Sequence, residues 1–162
     1  MTEPTDEAQA ARRAALLLLG RRDFGAHELR LKLAARGHSS AAIDAALEGL
    51  IAARLLDDGR FLENYIRVHA GRGQGPTRLR QALQQLGFAT EPIEQALAAG
   101  PDFAALCGEV RVRKFGRQLP RSWSEKGKQA RFLQYRGFSA DHIRLAISQD
   151  PDTPESIEDD HD

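Results

Sequence analysis

Apolar residues recur along this chain at intervals of three and four positions, with polar and charged residues between them. Leu29 and Leu33 show this spacing, as do Leu79 and Leu83. It places the apolar side chains on one face of an α-helix, because a helix turns once in about 3.6 residues. Strands are instead indicated by alternating β-branched residues, and the sequence contains no such run. The pattern therefore predicts an all-α protein.

The helical pattern occurs three times, at an offset of 50 residues. The segments HELRLKLAARGHSSAAIDAALE (27–48), TRLRQALQQLGFATEPIEQALA (77–98) and GKQARFLQYRGFSADHIRLAIS (127–148) align without gaps. A leucine, a glycine and an isoleucine coincide in every copy, the glycines being Gly37, Gly87 and Gly137. Periods of this length are typical of tandem helical repeats.

Each copy reads as a helix, a glycine and a second helix. The glycine suits the position just after a helix, where the chain turns left-handed and glycine does so at little cost. A longer helix precedes each pair, over 8–22, 57–70 and 102–116. The predicted N-cap residues are Ser39 or Ser40, Asp57 or Asp58, Thr90, Asp102, Ser122 or Ser124, and Ser139.

The fold class predicted from these units is all-α, with three tandem three-helix repeats in an elongated, curved array. The predicted repeat boundaries are 7–56, 57–101 and 102–150. The acidic N-terminus, 1–6, and the acidic, proline-containing tail, 151–162, are predicted to be disordered.

The formal net charge of zero conceals an uneven distribution. Residues 151–162 carry six acidic residues and no lysine or arginine, and residues 1–8 carry three and none. The body, 9–150, holds all 23 basic residues against 14 acidic ones, a net charge of +9. Such a body with acidic ends indicates a polyanionic partner, which the ends could mimic, although a plain solvated surface would have the same composition.

The stretch GRGQGP (71–76) resembles a phosphate-binding loop only superficially. A P-loop follows a buried strand and ends in Gly-Lys-Ser or Gly-Lys-Thr, whereas here a predicted helix precedes and Pro76-Thr77-Arg78 follows. The stretch is therefore interpreted as a flexible turn, with Pro76 as the first residue of a helix. Arg78 and Arg80 are two positions apart and should diverge around that helix.

Catalysis has little support in the sequence. Cys107 lacks a neighbouring histidine that could act as its base, so a buried, inert thiol is predicted. The five histidines show no metal-ligand spacing, and Asp57-Asp58 is explained as a helix start. No catalytic residue, metal site or cofactor is expected. Trp123 is interpreted as a packing anchor for its loop, and Tyr65 and Tyr135 as core or half-buried residues.

Several segments resemble the signature regions of the RecX regulatory proteins. They are ALLLLGRRDFGAHELRLKLAARG (15–37), LLDDGRFLENYI (55–66), GRGQGPTRLRQALQQLGF (71–88), RKFG (113–116) and RFLQYRGFSADHI (131–143). They occur in family order, covering about residues 8–149. The acidic tail lies outside this pattern.

The resemblance implies three tandem three-helix repeats and no enzymatic activity. Proteins of this family bind the RecA recombinase filament, in its groove or at its growing end. They suppress its ATP hydrolysis, strand exchange and coprotease action on the SOS repressor, and some bind DNA directly. The expected partners are therefore RecA and single- or double-stranded DNA, with no membrane, for a monomer in the cytoplasm. One cysteine and no secretory signal agree with that compartment.

Charge clustering alone motivates a predicted contact face. Residues 67–80 contain four arginines and no acid, and residues 111–136 contain nine basic residues and one acid. The residues predicted to line the face are Arg67, Arg72, Arg78, Arg80, Lys114, Arg117, Lys128 and Arg131. Two other interpretations stay open: a stand-alone DNA-binding protein that competes with RecA for single strands, and a general helical scaffold.

Overall fold

A computed structural model describes residues 6–148 of the chain. Within that range it contains nine α-helices and no strand, which confirms the predicted all-α fold. The helices are α1 (Asp6–Leu19), α2 (Ala26–Ala35), α3 (Ser40–Ala52), α4 (Asp58–Gly71), α5 (Pro76–Gln85), α6 (Thr90–Ala98), α7 (Phe103–Phe115), α8 (Trp123–Tyr135) and α9 (Ala140–Ser148). The predicted disordered tail, 151–162, and residues 1–5 of the predicted disordered N-terminus lie outside the described residues, whereas Asp6 is the first residue of α1.

The helices divide into two compact units whose borders cut through α4 and α5. Among the described residues, unit 1 contains 6–68 and 80–100, and unit 2 contains 69–79 and 101–148. Repeat 2 therefore contributes to both units. Each unit contains one complete repeat together with part of repeat 2.

Unit 1 has an apolar core in which α1 packs mainly against α3. Ala11, Ala42 and Ala46 are buried together, and their small side chains let helices approach closely. The larger buried residues of this core are Leu18, Phe24, Leu29, Leu33, Ile43, Leu47, Leu50 and Leu56. The leucine positions at four-residue spacing are thus the core positions, as the pattern predicts.

Unit 2 repeats this arrangement, with α7 packed mainly against α9 and α8 lying beside both. Its buried apolar residues include Leu79, Phe103, Val110, Leu133, Phe138 and Ile143. Leu133 is fully buried at the position equivalent to Leu33 and Leu83. One side of α8 is therefore fixed in the core, and the opposite side is left for contacts outside the unit.

The glycine shared by the three copies follows the end of each helix, as predicted. Gly37, Gly87 and Gly137 have φ values of +90°, +91° and +97°. Each glycine lies two positions after the last residue of a helix, and the chain then reverses into the next helix. Only glycine adopts this backbone conformation without a steric cost.

Most predicted caps are confirmed, and one is wrong. Ser39, Asp57, Asp102, Ser122 and Ser139 each accept a hydrogen bond from the backbone N–H three residues later, at 3.1–3.2 Å. In repeat 2 the N-cap is Ala89, without a side-chain hydrogen bond, and Thr90 is already helical. The 50-residue register explains this, because Ala89 is the position equivalent to Ser39 and Ser139.

Candidate functional site

The glycine-rich turn before α5 belongs to repeat 2 and packs against repeat 3 within unit 2. Helix α4 precedes it and Pro76 begins α5, which confirms that it is no P-loop. The Gly75 N–H donates to the Arg136 carbonyl at 2.8 Å, and the Thr77 N–H donates to the Gly137 carbonyl at 2.9 Å. A Cβ on Gly75 would lie 2.4 Å from the Gly137 carbonyl carbon. The turn is therefore a close-packed junction, contrary to the expectation of a flexible one.

An equivalent junction lies in unit 1, 50 residues earlier. A Cβ on Gly25 would lie 2.5 Å from the Phe88 ring, and one on Gly87 would lie 2.1 Å from the His27 ring. The Ala26 N–H at the start of α2 donates to the Asp58 carboxylate at 2.8 Å. In both units, the start of one repeat's middle helix meets the glycine turn of the following repeat. This contact positions the first turn of α5 against the last turn of α8.

The eight predicted basic residues belong to different units. Arg67 and Arg80 lie in unit 1, and the other six lie in unit 2. The Arg67 guanidinium donates to the Asn64 side chain, one turn earlier on the same helix, at 3.2 Å. The prediction that Arg78 and Arg80 diverge agrees with their contacts, which are made to different elements.

Arg80 joins α5 to α6 through an ion pair. Its guanidinium binds both carboxylate oxygens of Glu94, one of them at 3.2 Å. This hydrogen bonding raises the pKa of Arg80 and lowers the pKa of Glu94. Arg30 and Asp44 form the equivalent ion pair between α2 and α3. The Arg80 side chain is thus used within its own repeat, which makes it the weakest of the predicted contact residues.

Three cations of unit 2 lie near aromatic rings. The Arg78 guanidinium lies 5.7 Å from the centroid of the Tyr135 ring. The Phe132 ring has Lys114 Nζ at 5.5 Å and the Arg136 guanidinium at 5.2 Å. Such distances allow cation–π attraction. Arg136 was not among the predicted residues, and its Nη1 also donates to the Arg72 carbonyl at 3.2 Å.

Two aromatic side chains of α8 are exposed, against expectation. Trp123 is 90% exposed and Tyr135 is 78% exposed, so the interpretation of Trp123 as a packing anchor and of Tyr135 as a core residue is wrong. Helix capping explains the exposure of Trp123. The side chain of Ser122 caps α8, and the Arg121 N–H donates to Glu125 at 3.1 Å, so that the helix starts at Trp123. Lys128 and Arg131, which belong to the predicted contact face, are exposed as well.

Arg111, one of the nine basic residues of 111–136, is buried. Only 1% of it is exposed. Its guanidinium donates to the carbonyls of Gly116, Arg117 and Gln118, each at 3.3 Å. Burial lowers the pKa of Arg111. This residue holds the loop between α7 and α8, and the Arg117 backbone is part of that contact.

Three further observations bear on catalysis, metal binding and membranes. Cys107 is fully buried, as predicted, and burial raises its pKa to about 12. Within residues 6–148, no group of three or more histidine, cysteine, aspartate or glutamate side chains could hold a metal ion. In the same range, no helix is long and apolar enough to cross a membrane.

These observations define a class of protein: a tandem three-helix repeat protein whose second unit displays cations on α5 and α8 and exposed aromatic rings on α8. Family models named for the first, second and third three-helix domains of RecX match residues 11–50, 57–97 and 102–147. The chain belongs to the RecX family.

Individual relatives extend this similarity over nearly the whole chain. Regulatory protein RecX of Halorhodospira halophila is 44% identical over 149 residues, which is 91% of this chain and 92% of the relative. Regulatory protein RecX of Vibrio vulnificus is 38% identical over 90% of this chain and 96% of the relative. The crystal structure of RecX from Lactobacillus salivarius has the same fold, with a TM-score of 0.74 at 23% identity over 88% of this chain and 95% of that one.

Proposed function

We propose that this protein is a non-enzymatic regulator of the RecA recombinase, acting in the cytoplasm. It binds the RecA filament in the groove or at the growing end, and inhibits ATP hydrolysis, strand exchange and coprotease activity. The observation that carries the proposal is the three-domain RecX match, supported by relatives called regulatory proteins that align over about nine-tenths of their length. Recombination, repair and the SOS response are the processes it would affect.

The contact surface in this proposal is the basic part of unit 2. Its members are the six predicted cations of that unit: Arg72, Arg78, Lys114, Arg117, Lys128 and Arg131. Arg80 is omitted because its guanidinium binds Glu94. A basic surface suits a filament that encloses a DNA strand, since phosphates attract lysine and arginine independently of sequence.

The test is steady-state ATP hydrolysis by RecA on single-stranded DNA. This protein is titrated at concentrations well below that of RecA, with DNA in excess over what it could cover alone. Strong inhibition under these conditions is expected, because filament recognition needs few regulator molecules. An absence of inhibition at every concentration would contradict the proposed function.

A charge reversal locates the surface. The double variant Arg78→Glu and Lys128→Glu should inhibit RecA far less, because both side chains lie in the basic part of unit 2. The matched control is Arg13→Glu, which reverses an exposed cation in unit 1. Equal inhibition by the double variant and the control would show that the contact surface lies elsewhere.

The alternative is a stand-alone, sequence-independent DNA-binding protein that competes with RecA for single strands. The exposed Trp123, and the exposed Tyr135 with Arg78 over its ring, favour this candidate. It predicts no inhibition at low concentrations and a loss of RecA activity once the DNA is saturated. The same titration therefore separates the two functions.

A further inference from the structure

The exposed side of α8 carries a row of residues at intervals of four. Trp123, Gly127, Arg131 and Tyr135 occupy successive positions of this row, which we call the α8 row. Residues four apart are neighbours on a helix surface, and each step turns by about 40° around the axis, so the row winds diagonally across the helix. Its two ends are separated by about 18 Å along the axis.

Aromatic rings occupy both ends of the row, and cations lie between and beside them. A guanidinium nitrogen of Arg131 lies 3.3 Å from the point where a Cβ on Gly127 would be, so the Arg131 side chain lies over the bare backbone of Gly127, between the two rings. Lys128 is exposed beside the row, and Arg78 lies over Tyr135 at 5.7 Å. Glu125, the sole acid in 111–136, has an oxygen bound to the Arg121 N–H.

The exposure of Trp123 and Tyr135 does not stabilise the fold. An indole that is 90% exposed contributes almost nothing to the core, and large exposed apolar groups commonly mark binding surfaces. The rings of the α8 row are separated by charge instead of forming one apolar patch. Tryptophan, tyrosine and arginine are also common in protein interfaces, so oligonucleotide binding has to be measured separately from RecA inhibition.

We propose that the α8 row is a stacking platform for single-stranded nucleic acid. Bases stack on Trp123 and Tyr135, and Arg131, Lys128 and Arg78 bind the phosphates between and beside them. Stacked nucleotides rise by about 3.4 Å, so the row spans about five nucleotides, within the range of about 4–16 nucleotides that other single-strand sites cover. A duplex does not fit this chemistry, because its base faces are already stacked on each other.

The proposal deepens the proposed function, since a regulator of a filament built on DNA meets single strands, but it is tested without RecA. Trp123 is the sole tryptophan of the chain, so its fluorescence reports on one end of the row. Titration with an oligothymidylate of about 15 nucleotides should quench the emission to saturation. The quenching should require more oligonucleotide as sodium chloride increases, because phosphate contacts release counterions.

Substitutions then separate stacking from general charge attraction. With a labelled oligothymidylate and fluorescence anisotropy, Trp123→Ala and Tyr135→Ala should each weaken binding by about tenfold or more, since stacking on one aromatic side chain contributes that much. Trp123→Phe should retain most of the affinity. The control is Leu17→Ala, which truncates a 70% exposed apolar residue outside the row and should change nothing. Thermal unfolding checks that every variant remains folded.

The outcomes distinguish this inference from the proposed function. Unchanged oligonucleotide affinity in both alanine variants overturns the platform. If Trp123→Ala keeps its oligonucleotide affinity but loses RecA inhibition, the row contacts protein, and the platform is again overturned while the proposed function stands. Weakened oligonucleotide binding in both variants supports the platform, whether or not the wild-type protein inhibits RecA in the separate ATPase assay.

Discussion

At the scale of single residues, Arg111 shows how one buried charge positions a surface. Its guanidinium reaches three consecutive backbone carbonyls of the loop that leads to α8. A planar group with five N–H donors can bind several acceptors at once, whereas an ammonium is a compact point charge. The loop ends at Ser122, whose side chain caps α8. Arg111 therefore anchors the loop that leads to α8, while the Ser122 cap sets the start of that helix at Trp123.

Arg111→Lys keeps the charge and should still destabilise the protein. We expect a loss of about 2 kcal/mol in the free energy of unfolding, because hydrogen bonds from a charged group to the carbonyls are lost in a buried place. Urea denaturation measures it, with Arg113→Lys as the matched control on the exposed side of the same helix. The control should change stability by less than about 0.5 kcal/mol. Equal stabilities of the two variants would contradict the structural role of Arg111.

At the scale of helices and turns, the junction at Gly75 is the least tolerant part of unit 2. Gly75→Ala would place a Cβ 2.4 Å from the Gly137 backbone, and backbone cannot move aside as a flexible side chain can. A loss of about 2 kcal/mol or more is expected. The matched control is Gly71→Ala at the end of α4, where a Cβ meets nothing within 4 Å and a gain of about 0.4–1 kcal/mol is expected. Differential scanning calorimetry compares the two; a destabilised Gly71→Ala together with a neutral Gly75→Ala would refute this view of the junction.

The sequence predicts these elements well because their causes are local. Leucine spacing defines the buried faces, and the glycine of each copy defines the left-handed turn, so helices and turns follow from a few neighbouring residues. Capping preference favours Thr90 as the N-cap, whereas the repeat register points to Ala89, which is the N-cap in the structure. The exposure of Trp123 and the burial of Arg111 depend on contacts within a tertiary structure. Residue type alone predicts the opposite for both, so the candidate site was less predictable than the fold.

At the scale of the whole molecule, the opposed charges of body and ends concern association with polyanions. A body of +9 attracts a nucleic-acid strand from a distance, and the acidic ends reduce that attraction to a net charge of zero. The effect depends on ionic strength, because the screening length falls from about 30 Å at 0.01 M salt to about 8 Å at 0.15 M. Charge alone therefore predicts how the acidic segment 151–162 influences strand binding.

Deletion of 151–162 removes six acidic residues and no lysine or arginine, which changes the formal net charge from 0 to +6. We expect the association rate with single-stranded oligonucleotide to rise by about tenfold at low salt, because steering follows long-range charge. Near 0.15 M salt the difference should largely disappear. Stopped-flow measurement of Trp123 emission gives both rates. The control keeps the segment but replaces its acids with asparagine and glutamine, and it should match the deletion. If this neutral segment instead behaves like the unmodified protein, the influence of the segment is not electrostatic.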